Sequence, residues 1–169
     1  MIIIFEGHDK AGKSTIVKAL AEELDCSVFS SNAFECFVNG GYRKTDSSNI
    51  ATFSMMMASY LKAISFEGNV IFDRFHLSEI VYSEILNRKT DQAALKRADE
   101  ILAGLDARII ICEKQLPGID EYLEQNEVTE AKYVYRAMRA ISDCKVMFLD
   151  TTDENLGKQL RLIRDWLEV

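Results

Sequence analysis

Five short apolar runs, separated by helix-length segments, are the feature of this sequence that most constrains its fold. The first run, residues 2–5, shows no alternation of apolar and polar residues, so a strand there is expected to be buried on both faces. Similar runs follow at 26–29, 70–72, 108–112 and 146–149. Each intervening segment is long enough for a right-handed crossover between parallel strands. The sequence therefore predicts an α/β fold, a five-stranded parallel sheet with helices on both faces.

The segments between these runs show helical spacing of their apolar residues. This spacing predicts helices over 13–25, 48–65, 77–87, 91–105, 129–141 and 153–169, and an irregular segment over 30–47. In the helix over 91–105 the charged residues are expected to be exposed, namely Lys96, Arg97, Asp99 and Glu100. A chain of 169 residues is short for two domains, so residues 1–169 are interpreted as a single domain.

The composition excludes several classes of protein. Hydrophobic residues make up 48% of the chain and charged residues 28%, with 8 Gly and 1 Pro, which excludes disordered and collagen-like sequence. The formal net charge of −7 argues against non-specific binding to nucleic acid or to an anionic membrane. The longest apolar run, over 53–61, is too short to span a bilayer. A polyphosphate ligand is compatible with this charge, because a few positive groups in a cleft overcome it locally.

The four cysteines show neither a disulfide nor a zinc-binding pattern. Cys26, Cys36, Cys112 and Cys144 are widely spread and form no CxxC pair. They lie in or beside apolar stretches, which is typical of small buried side chains in a reducing compartment. Glu6 ends the first apolar run well before the length of a secretory signal, so a cytoplasmic location is expected.

The sharpest motif follows the first apolar run. Residues 7–14, Gly-His-Asp-Lys-Ala-Gly-Lys-Ser, match the pattern G-x-x-x-x-G-K-[ST] of a phosphate-binding loop. The glycines let successive backbone N–H groups face an anion, and the helix that follows directs the positive end of its dipole to the same place. Lys13 is expected to reach the β- and γ-phosphates of a nucleotide, and Ser14 to bind Mg²⁺. The alternative is a Gly-rich turn before an ordinary helix.

A second motif ends the apolar run over 70–72. The carboxyl ends of parallel strands face the ligand crevice, so Asp73 is expected beside the phosphate-binding loop, where a carboxylate holds Mg²⁺ directly or through water. Arg74 is expected in the same crevice, because its planar guanidinium suits a phosphate. The alternative is an Asp–Arg pair on the surface.

Two stretches of the chain resemble the motifs of thymidylate kinases. Residues 5–15, Phe-Glu-Gly-His-Asp-Lys-Ala-Gly-Lys-Ser-Thr, look like the opening motif of that family. Residues 73–78, Asp-Arg-Phe-His-Leu-Ser, look like its second motif. The resemblance implies a P-loop NTPase fold and an enzyme that moves the γ-phosphoryl of ATP, with Mg²⁺, onto a deoxynucleoside monophosphate in nucleotide biosynthesis.

The resemblance also implies roles for individual residues. Lys13, Lys10 and Arg74 would be catalytic, with Lys10 where some members carry a loop arginine and Arg74 on the acceptor phosphate. Asp9 would meet the sugar 3′-hydroxyl of the acceptor. Ser14 and Asp73 would hold the metal. The residues implied to bind ATP are Gly7, Lys10, Ala11, Gly12, Lys13, Ser14 and Thr15 of the loop, with Thr151 and Thr152 bordering the adenine.

The parts expected to read the acceptor depart from the family. Phe34 and Tyr60 are candidates for the acceptor pocket, with core packing as the alternative. Residues 29–33 lack the Arg and Pro that usually follow the second strand, and the short lid expected near 113–128 has Lys114 as its one base. A deoxynucleoside kinase and a non-catalytic ATP-binding protein are therefore the alternatives. His8, at a variable position of the loop, is expected to be exposed.

The predicted helix over 48–65 is apolar around most of its circumference, so more than one side of it needs a cover. Thymidylate kinases pair through helices that flank the sheet, and this resemblance favours a homodimer with Met56 and Tyr60 in a two-fold interface. The alternative is that the segment over 30–47 folds over this helix within one chain.

Overall fold

The computed structural model describes residues 1–8, 10–30, 68–85, 90–115, 135 and 142–169. Within these residues the strands are β1 Ile2–Glu6, β2 Ser27–Ser30, β3 Val70–Asp73, β4 Arg108–Glu113 and β5 Lys145–Asp150. The helices are α1 Lys13–Leu24, α2 His76–Ile85, α3 Gln92–Gly104 and α4 Leu156–Leu167. The strands form one sheet in the order β2-β3-β1-β4-β5, and every pair is parallel. The predicted five-stranded parallel sheet is confirmed.

The register brings the carboxyl ends of the central strands to one edge of the sheet. Phe5 of β1 lies opposite Asp73 of β3, and Glu6 lies opposite Ile111 of β4. Glu113, the last residue of β4, lies opposite Asp150, the last residue of β5. Because all strands run the same way, the loop after β1, the turn after β3 and the loop after β5 share this edge.

The side chains of β1 alternate between two apolar clusters, one on each face of the sheet. Ile3 and Phe5 belong to a cluster with Leu20 of α1 and Ile163 of α4. Ile2 and Ile4 belong to the other, together with the apolar residues of α2 and α3. All four side chains are at most 6% exposed. Helices therefore cover both faces, as the lack of alternation in this run predicts.

The first residues of three helices differ slightly from the predictions, two of them because of side-chain caps. The side chain of Asp91 accepts a hydrogen bond from the N–H of Ala94, at 3.0 Å, so α3 begins at Gln92. The side chain of Asn155 caps α4 in the same way, at 3.0 Å from the N–H of Lys158, and this helix begins three residues later than predicted. Helix α2 begins at His76, one residue early.

One predicted exposure in α3 is wrong. Lys96, Arg97 and Glu100 are exposed as expected, but Asp99 is only 5% exposed. Its carboxylate accepts hydrogen bonds from His76 at the start of α2 and from Ser142 and Asp143 before β5. These partners lie far away in the sequence, so the local pattern of α3 does not reveal them.

Several predictions lie outside the described residues. They include the helices over 48–65 and 129–141, apart from Tyr135, the lid beyond residue 115, and the homodimer interface. The irregular segment predicted over 30–47 lies outside them too, except for Ser30, which ends β2. Phe34, Tyr60 and Asp9 lie outside them as well. Among the described cysteines, Cys112 and Cys144 are buried, Cys26 is half-buried, and all three are free thiols. Of the helices that the structure describes, none has the length and apolar character needed to cross a membrane.

Candidate functional site

The loop between β1 and α1 depends on the absence of a side chain at Gly7. The φ angle of Gly7 is +131°, a conformation open to glycine, and a Cβ built there would lie 2.3 Å from the carbonyl oxygen of Cys112. The loop is therefore pressed against β4, which only glycine at this position permits. At Gly12, with φ +76°, a Cβ would lie 3.9 Å from the Cβ of Thr151, an ordinary van der Waals contact, so the left-handed backbone rather than lack of space favours glycine there.

Lys13 holds the loop in a closed curve. Although it carries a charge, Lys13 is 6% exposed, and its Nζ donates hydrogen bonds to the carbonyl oxygens of Gly7 at 3.0 Å and His8 at 2.7 Å. A buried ammonium costs free energy unless it is hydrogen-bonded, and these two carbonyls supply that compensation. The cation thereby lies inside the curve of the loop, where an anion would be attracted to it.

The first turn of α1 has no side-chain cap. The side chains of Asp91 and Asn155 cap α3 and α4. The N-cap residue of α1 is Gly12, which has no side chain with which to cap the helix. The first N–H groups of a helix have no intrahelical partner, and together with the helix dipole they favour an anion. This end of α1 is the predicted place for a phosphate group.

Ser14 and Asp73 meet as the sequence predicts. The hydroxyl of Ser14 donates to Oδ2 of Asp73 at 2.8 Å, so the start of α1 touches the end of β3. The described residues contain no group of three or more His, Cys, Asp or Glu that could hold a metal ion. A hydroxyl and one carboxylate nevertheless fit Mg²⁺, which usually takes one or two protein oxygens and completes its shell with phosphate oxygens and water.

Arg74 adopts a left-handed backbone conformation, with a φ angle of +71°. This conformation is unfavourable for a residue with a side chain and costs about 1 kcal/mol or more. The N–H of Arg74 donates to the carbonyl oxygen of Phe5 at 2.8 Å, directly before the phosphate-binding loop begins. The tight turn after β3 is thereby held against the end of β1, and Arg74 lies at the shared edge as predicted.

The loop after β5 is tied to the phosphate-binding loop by Thr151. This residue is 3% exposed; its hydroxyl lies 2.9 Å from the carbonyl oxygen of Ala11 and 3.1 Å from that of Glu113. The hydroxyl of Thr152 accepts from the N–H of Gln115 at 3.0 Å. Thr151 and Thr152 therefore border the edge where the resemblance to thymidylate kinases implies that the adenine binds.

The predicted exposure of His8 is wrong. His8 is 1% exposed, and its Nε2 accepts a hydrogen bond from the N–H of Lys114 at 3.1 Å. This contact ties the phosphate-binding loop to the first residues after β4, where the predicted lid begins. The ammonium of Lys114 forms an ion pair with Glu154 in the loop after β5. The three loops at this edge thus contact one another through His8, Thr151 and Lys114.

Known proteins resemble this chain along its whole length. No family model matches it. The SPbeta prophage-derived protein YorR of Bacillus subtilis (strain 168) is 24% identical over 160 residues, 89% of this chain and 88% of YorR. A crystal structure of YorR in complex with phosphorylated GDP has a TM-score of 0.68 at 21% identity, covering 100% of this chain and 99% of that one.

Two enzymes of nucleotide metabolism also share the architecture. Thymidylate kinase from Ehrlichia chaffeensis has a TM-score of 0.71 at 16% identity, covering 99% of this chain and 98% of that one. Deoxyadenosine kinase from M. mycoides, with products dCMP and a flexible dCDP bound, has a TM-score of 0.67 at 19% identity, covering 99% of both chains. The chain has the P-loop NTPase fold that these proteins share. The fold predicted from the five apolar runs and the phosphate-loop motif is confirmed.

Most of the described candidate residues lie together in this fold. The structure brings Ser14 and Asp73 into contact, and it places the loop residues, Thr151, Thr152 and Arg74 at one edge of the sheet. Lys10, on the loop, and Thr15, in the first turn of α1, are exposed. Their roles toward ATP, like those of the other candidates, remain predictions.

Sequence reasoning did not single out Glu6 as a residue of the site. Glu6 is 0% exposed and lies between the phosphate-binding loop and the turn that holds Arg74. A signal was present, since a carboxylate that ends a fully buried apolar strand must find hydrogen-bond donors inside the protein. The donors themselves lie about seventy or more residues away, so the sequence alone did not identify them.

Proposed function

We propose that this protein is an ATP-dependent kinase that transfers the γ-phosphoryl group to a deoxynucleoside monophosphate. The observation that carries the proposal is the close packing of two phosphate-binding elements, since Arg74 donates its N–H to the residue two positions before Gly7. A single loop would serve one nucleotide, whereas an arginine fixed beside it suits the phosphate of a second. The P-loop kinase fold supports the same reading.

The roles proposed for the chain follow from this arrangement. Lys13 and the N–H groups at the start of α1 bind the β- and γ-phosphates of ATP, and Lys10 adds positive charge near the transferred group. Ser14 and Asp73 would hold Mg²⁺, which when bound neutralises charge between the β- and γ-phosphates. Arg74 binds the acceptor phosphate. Phosphoryl transfer needs little covalent chemistry from the protein, so positioning and charge neutralisation carry the rate.

The remaining features of the proposal concern the whole protein. Asp9, Phe34 and Tyr60 are proposed to contact the acceptor, and Thr151 and Thr152 the adenine. A cytoplasmic enzyme of nucleotide biosynthesis, acting as a homodimer through the segment over 48–65, is the form that the sequence favours. Asp9, Phe34, Tyr60 and the segment over 48–65 lie outside the described residues. The described contacts of Thr151 and Thr152 are to protein groups, and each of these features stays a prediction.

A second candidate is a deoxynucleoside kinase, whose acceptor is a hydroxyl group without a phosphate. The likeness to the M. mycoides deoxyadenosine kinase favours it. Such an enzyme has no use for an arginine on an acceptor phosphate. The role of Arg74 therefore discriminates between the two candidates.

The test measures ATP consumption with panels of deoxynucleosides and deoxynucleoside monophosphates. We expect turnover with a monophosphate, and a loss of about 10²–10³-fold in kcat for Lys13→Ala, the size typical of a lost transition-state contact. Arg74→Ala is expected to raise KM for the monophosphate while ATP binding persists. Lys18→Ala and Arg97→Ala, at exposed positions of α1 and α3, are the matched controls.

Two outcomes would contradict the proposal. Turnover with nucleosides but not with monophosphates would assign the second candidate. Near-normal turnover by a folded Lys13→Ala protein would exclude a kinase that uses this loop. Urea unfolding of each variant checks that the fold is retained.

A further inference from the structure

Glu6, the last residue of β1, carries a carboxylate that is completely buried. Oε1 accepts the N–H of Phe75 at 3.0 Å. Oε2 accepts a hydrogen bond from the hydroxyl of Ser78 and lies 3.4 Å from the hydroxyl of Tyr135. Among the described residues, Glu6 forms no ion pair, so neutral donors alone stabilise a group whose burial is unfavourable. An apolar residue would pack more simply at the end of this strand, so the contacts of the carboxylate indicate what it positions.

The partner of Oε1 belongs to the turn that contains Arg74. Two successive backbone N–H groups of this turn donate to two successive residues of β1, Arg74 to Phe5 and Phe75 to Glu6. These two hydrogen bonds together form a clamp between the turn and the strand. The first acceptor is a backbone carbonyl, which any residue would provide. The second is a side chain, and it is the part of this clamp that the sequence specifies. A left-handed conformation at a residue with a Cβ persists only when its surroundings determine it, and this clamp does so at Arg74.

We propose that Glu6 is the positioning residue of the acceptor-binding arginine. Its carboxylate holds the turn over residues 73–75 in the left-handed conformation and fixes Arg74 relative to the phosphate-binding loop, which begins one residue after Glu6. The distance between the acceptor phosphate and the transferred phosphoryl group then depends on a single buried side chain. This inference rests on the proposed function, because it assigns Arg74 to the acceptor phosphate.

The contacts of the two carboxylate oxygens separate positioning from simple support of α2. Oε1 holds the turn, whereas Oε2 holds Ser78 inside α2. If Glu6 served only the helix, loss of the Ser78 hydroxyl would be as harmful as loss of Glu6. If Glu6 positions Arg74, the contact with Phe75 decides the effect, and Ser78 matters less.

The experiment compares Glu6→Ala and Glu6→Gln with Ser78→Ala as the matched control. Glu6→Ala removes the acceptor for Phe75, and a misplaced binding group costs on the order of 10–100-fold. We expect that rise in KM for the monophosphate, with the Kd of ATP within about threefold of the wild type. Glu6→Gln restores activity to within about fivefold, because its amide oxygen accepts from Phe75 and its amide N–H₂ donates to the hydroxyl groups. Ser78→Ala changes the same KM less than about threefold.

A second readout does not depend on activity. Amide hydrogen exchange of Phe75, followed by NMR, reports whether the clamp is closed. We expect its protection to fall at least tenfold in Glu6→Ala and to be kept in Glu6→Gln and Ser78→Ala. If Glu6→Ala does not fold, Glu6→Asp replaces it, since the shorter side chain cannot keep both contacts.

Each outcome decides between the two proposals. Equal losses of ATP and monophosphate binding in Glu6→Ala, or unchanged protection of Phe75, would overturn the positioning role. A Ser78→Ala effect as large as that of Glu6→Ala would overturn it too. A wild-type protein that uses no monophosphate would refute the proposed function and with it the role of Arg74, even where exchange shows that Glu6 closes the turn.

Discussion

Helix α2 is held at its first turn by two buried carboxylates that differ in what they fix. On one side, Glu6 contacts Ser78 and the backbone of Phe75. On the other side, Oδ1 of Asp99 lies 2.7 Å from Nε2 of His76. Both carboxylates are almost completely shielded from water, at 0% and 5% exposure. Burial and hydrogen bonding alone therefore do not distinguish a residue of the site from a residue of the scaffold.

The partners make the distinction. Those of Asp99 are His76, the hydroxyl of Ser142 and the N–H of Asp143, which join α2, α3 and the segment before β5. None of these three partners belongs to the phosphate-binding loop. Nε2 of His76 must carry a proton, because a carboxylate only accepts, while its buried Nδ1 has no hydrogen-bond partner among the described residues. Glu6 instead fixes the left-handed turn over residues 73–75, and Glu6 itself directly precedes the phosphate-binding loop. We infer that the Asp99 cluster (His76, Asp99, Ser142 and Asp143) supports the fold and that Glu6 supports the site.

The largest effect is expected from Asp99→Ala, on stability. The substitution leaves the buried imidazole of His76 without its acceptor, and an unsatisfied buried polar group costs about 1–3 kcal/mol. The half-buried hydroxyl of Ser142 and the N–H of Asp143, an exposed residue, lose the same acceptor at a smaller cost, because water can reach them. Allowing for relaxation, we expect the free energy of unfolding to fall by about 3 kcal/mol, measured by urea denaturation. The KM for the acceptor should stay within about twofold of the wild type. A KM change as large as that expected for Glu6→Ala would show that the two carboxylates act alike.

The next largest effect is expected in how the free energy of unfolding changes with pH, a change to which Asp99 contributes. Burial raises the pKa of Asp99, but hydrogen bonds from His76, the N–H of Asp143 and Ser142 outweigh it, so the pKa lies below its ordinary value. As the pH falls, the carboxylate of Asp99 therefore becomes protonated at about pH 4 in the unfolded chain, and only at a lower pH in the folded protein. The contribution of Asp99 is present above that pH and is lost as the pH falls through the lower pKa of the folded state.

Comparison of the wild type with Asp99→Asn from pH 6 to pH 3 isolates this contribution. We expect the free energy of unfolding of the wild type to fall more steeply with acid than that of the variant, by about 1 kcal/mol over the range, the size of the net contribution of a typical hydrogen bond. Asp165→Asn is the control, because Asp165 is exposed on α4. Parallel curves for the wild type and Asp99→Asn would contradict the lowered pKa.

The fold was predictable because its determinants are local. The unbroken apolar run over 2–5 requires a strand covered on both faces, and Gly7 and Gly12 flank the loop where their positive φ angles are needed. The meeting of Ser14 with Asp73 followed from strand polarity alone. These predictions needed no knowledge of which side chains contact one another across the chain.

The missed contacts are all long-range. Asp99 lies among charged neighbours in α3, so its helical position indicated exposure, but His76 lies 23 residues earlier. His8 has its partner, Lys114, 106 residues away. Glu6 contacts Ser78 and Tyr135 at separations of 72 and 129 residues. A buried polar group needs a hydrogen-bond partner that only the folded chain brings near. The sequence pattern of a single helix or strand does not show which residue that partner is.

The smallest expected effect concerns two buried thiols, one in each region. Cys112 lies in β4 beneath Gly7, and burial raises its pKa to about 12. Cys144 lies beside Asp99, and burial together with that carboxylate raises its pKa to about 12 as well. Neither thiol is ionised near pH 8 in the folded protein, so N-ethylmaleimide reacts with each only when its surroundings open.

Nucleotide binding should therefore slow the labelling of one thiol and not the other. If the phosphate-loop edge opens on its own, a bound ATP analogue at ten times its Kd lowers the labelling rate of Cys112 about tenfold, because the nucleotide must leave first. Cys144 should react at an unchanged rate, since the Asp99 cluster opens without releasing the nucleotide. Half-buried Cys26 serves as the reagent control, and peptide mass spectrometry assigns each adduct. Equal slowing of Cys112 and Cys144 would mean that both regions open only in global unfolding, and the distinction between a site carboxylate and a scaffold carboxylate would then have no dynamic counterpart.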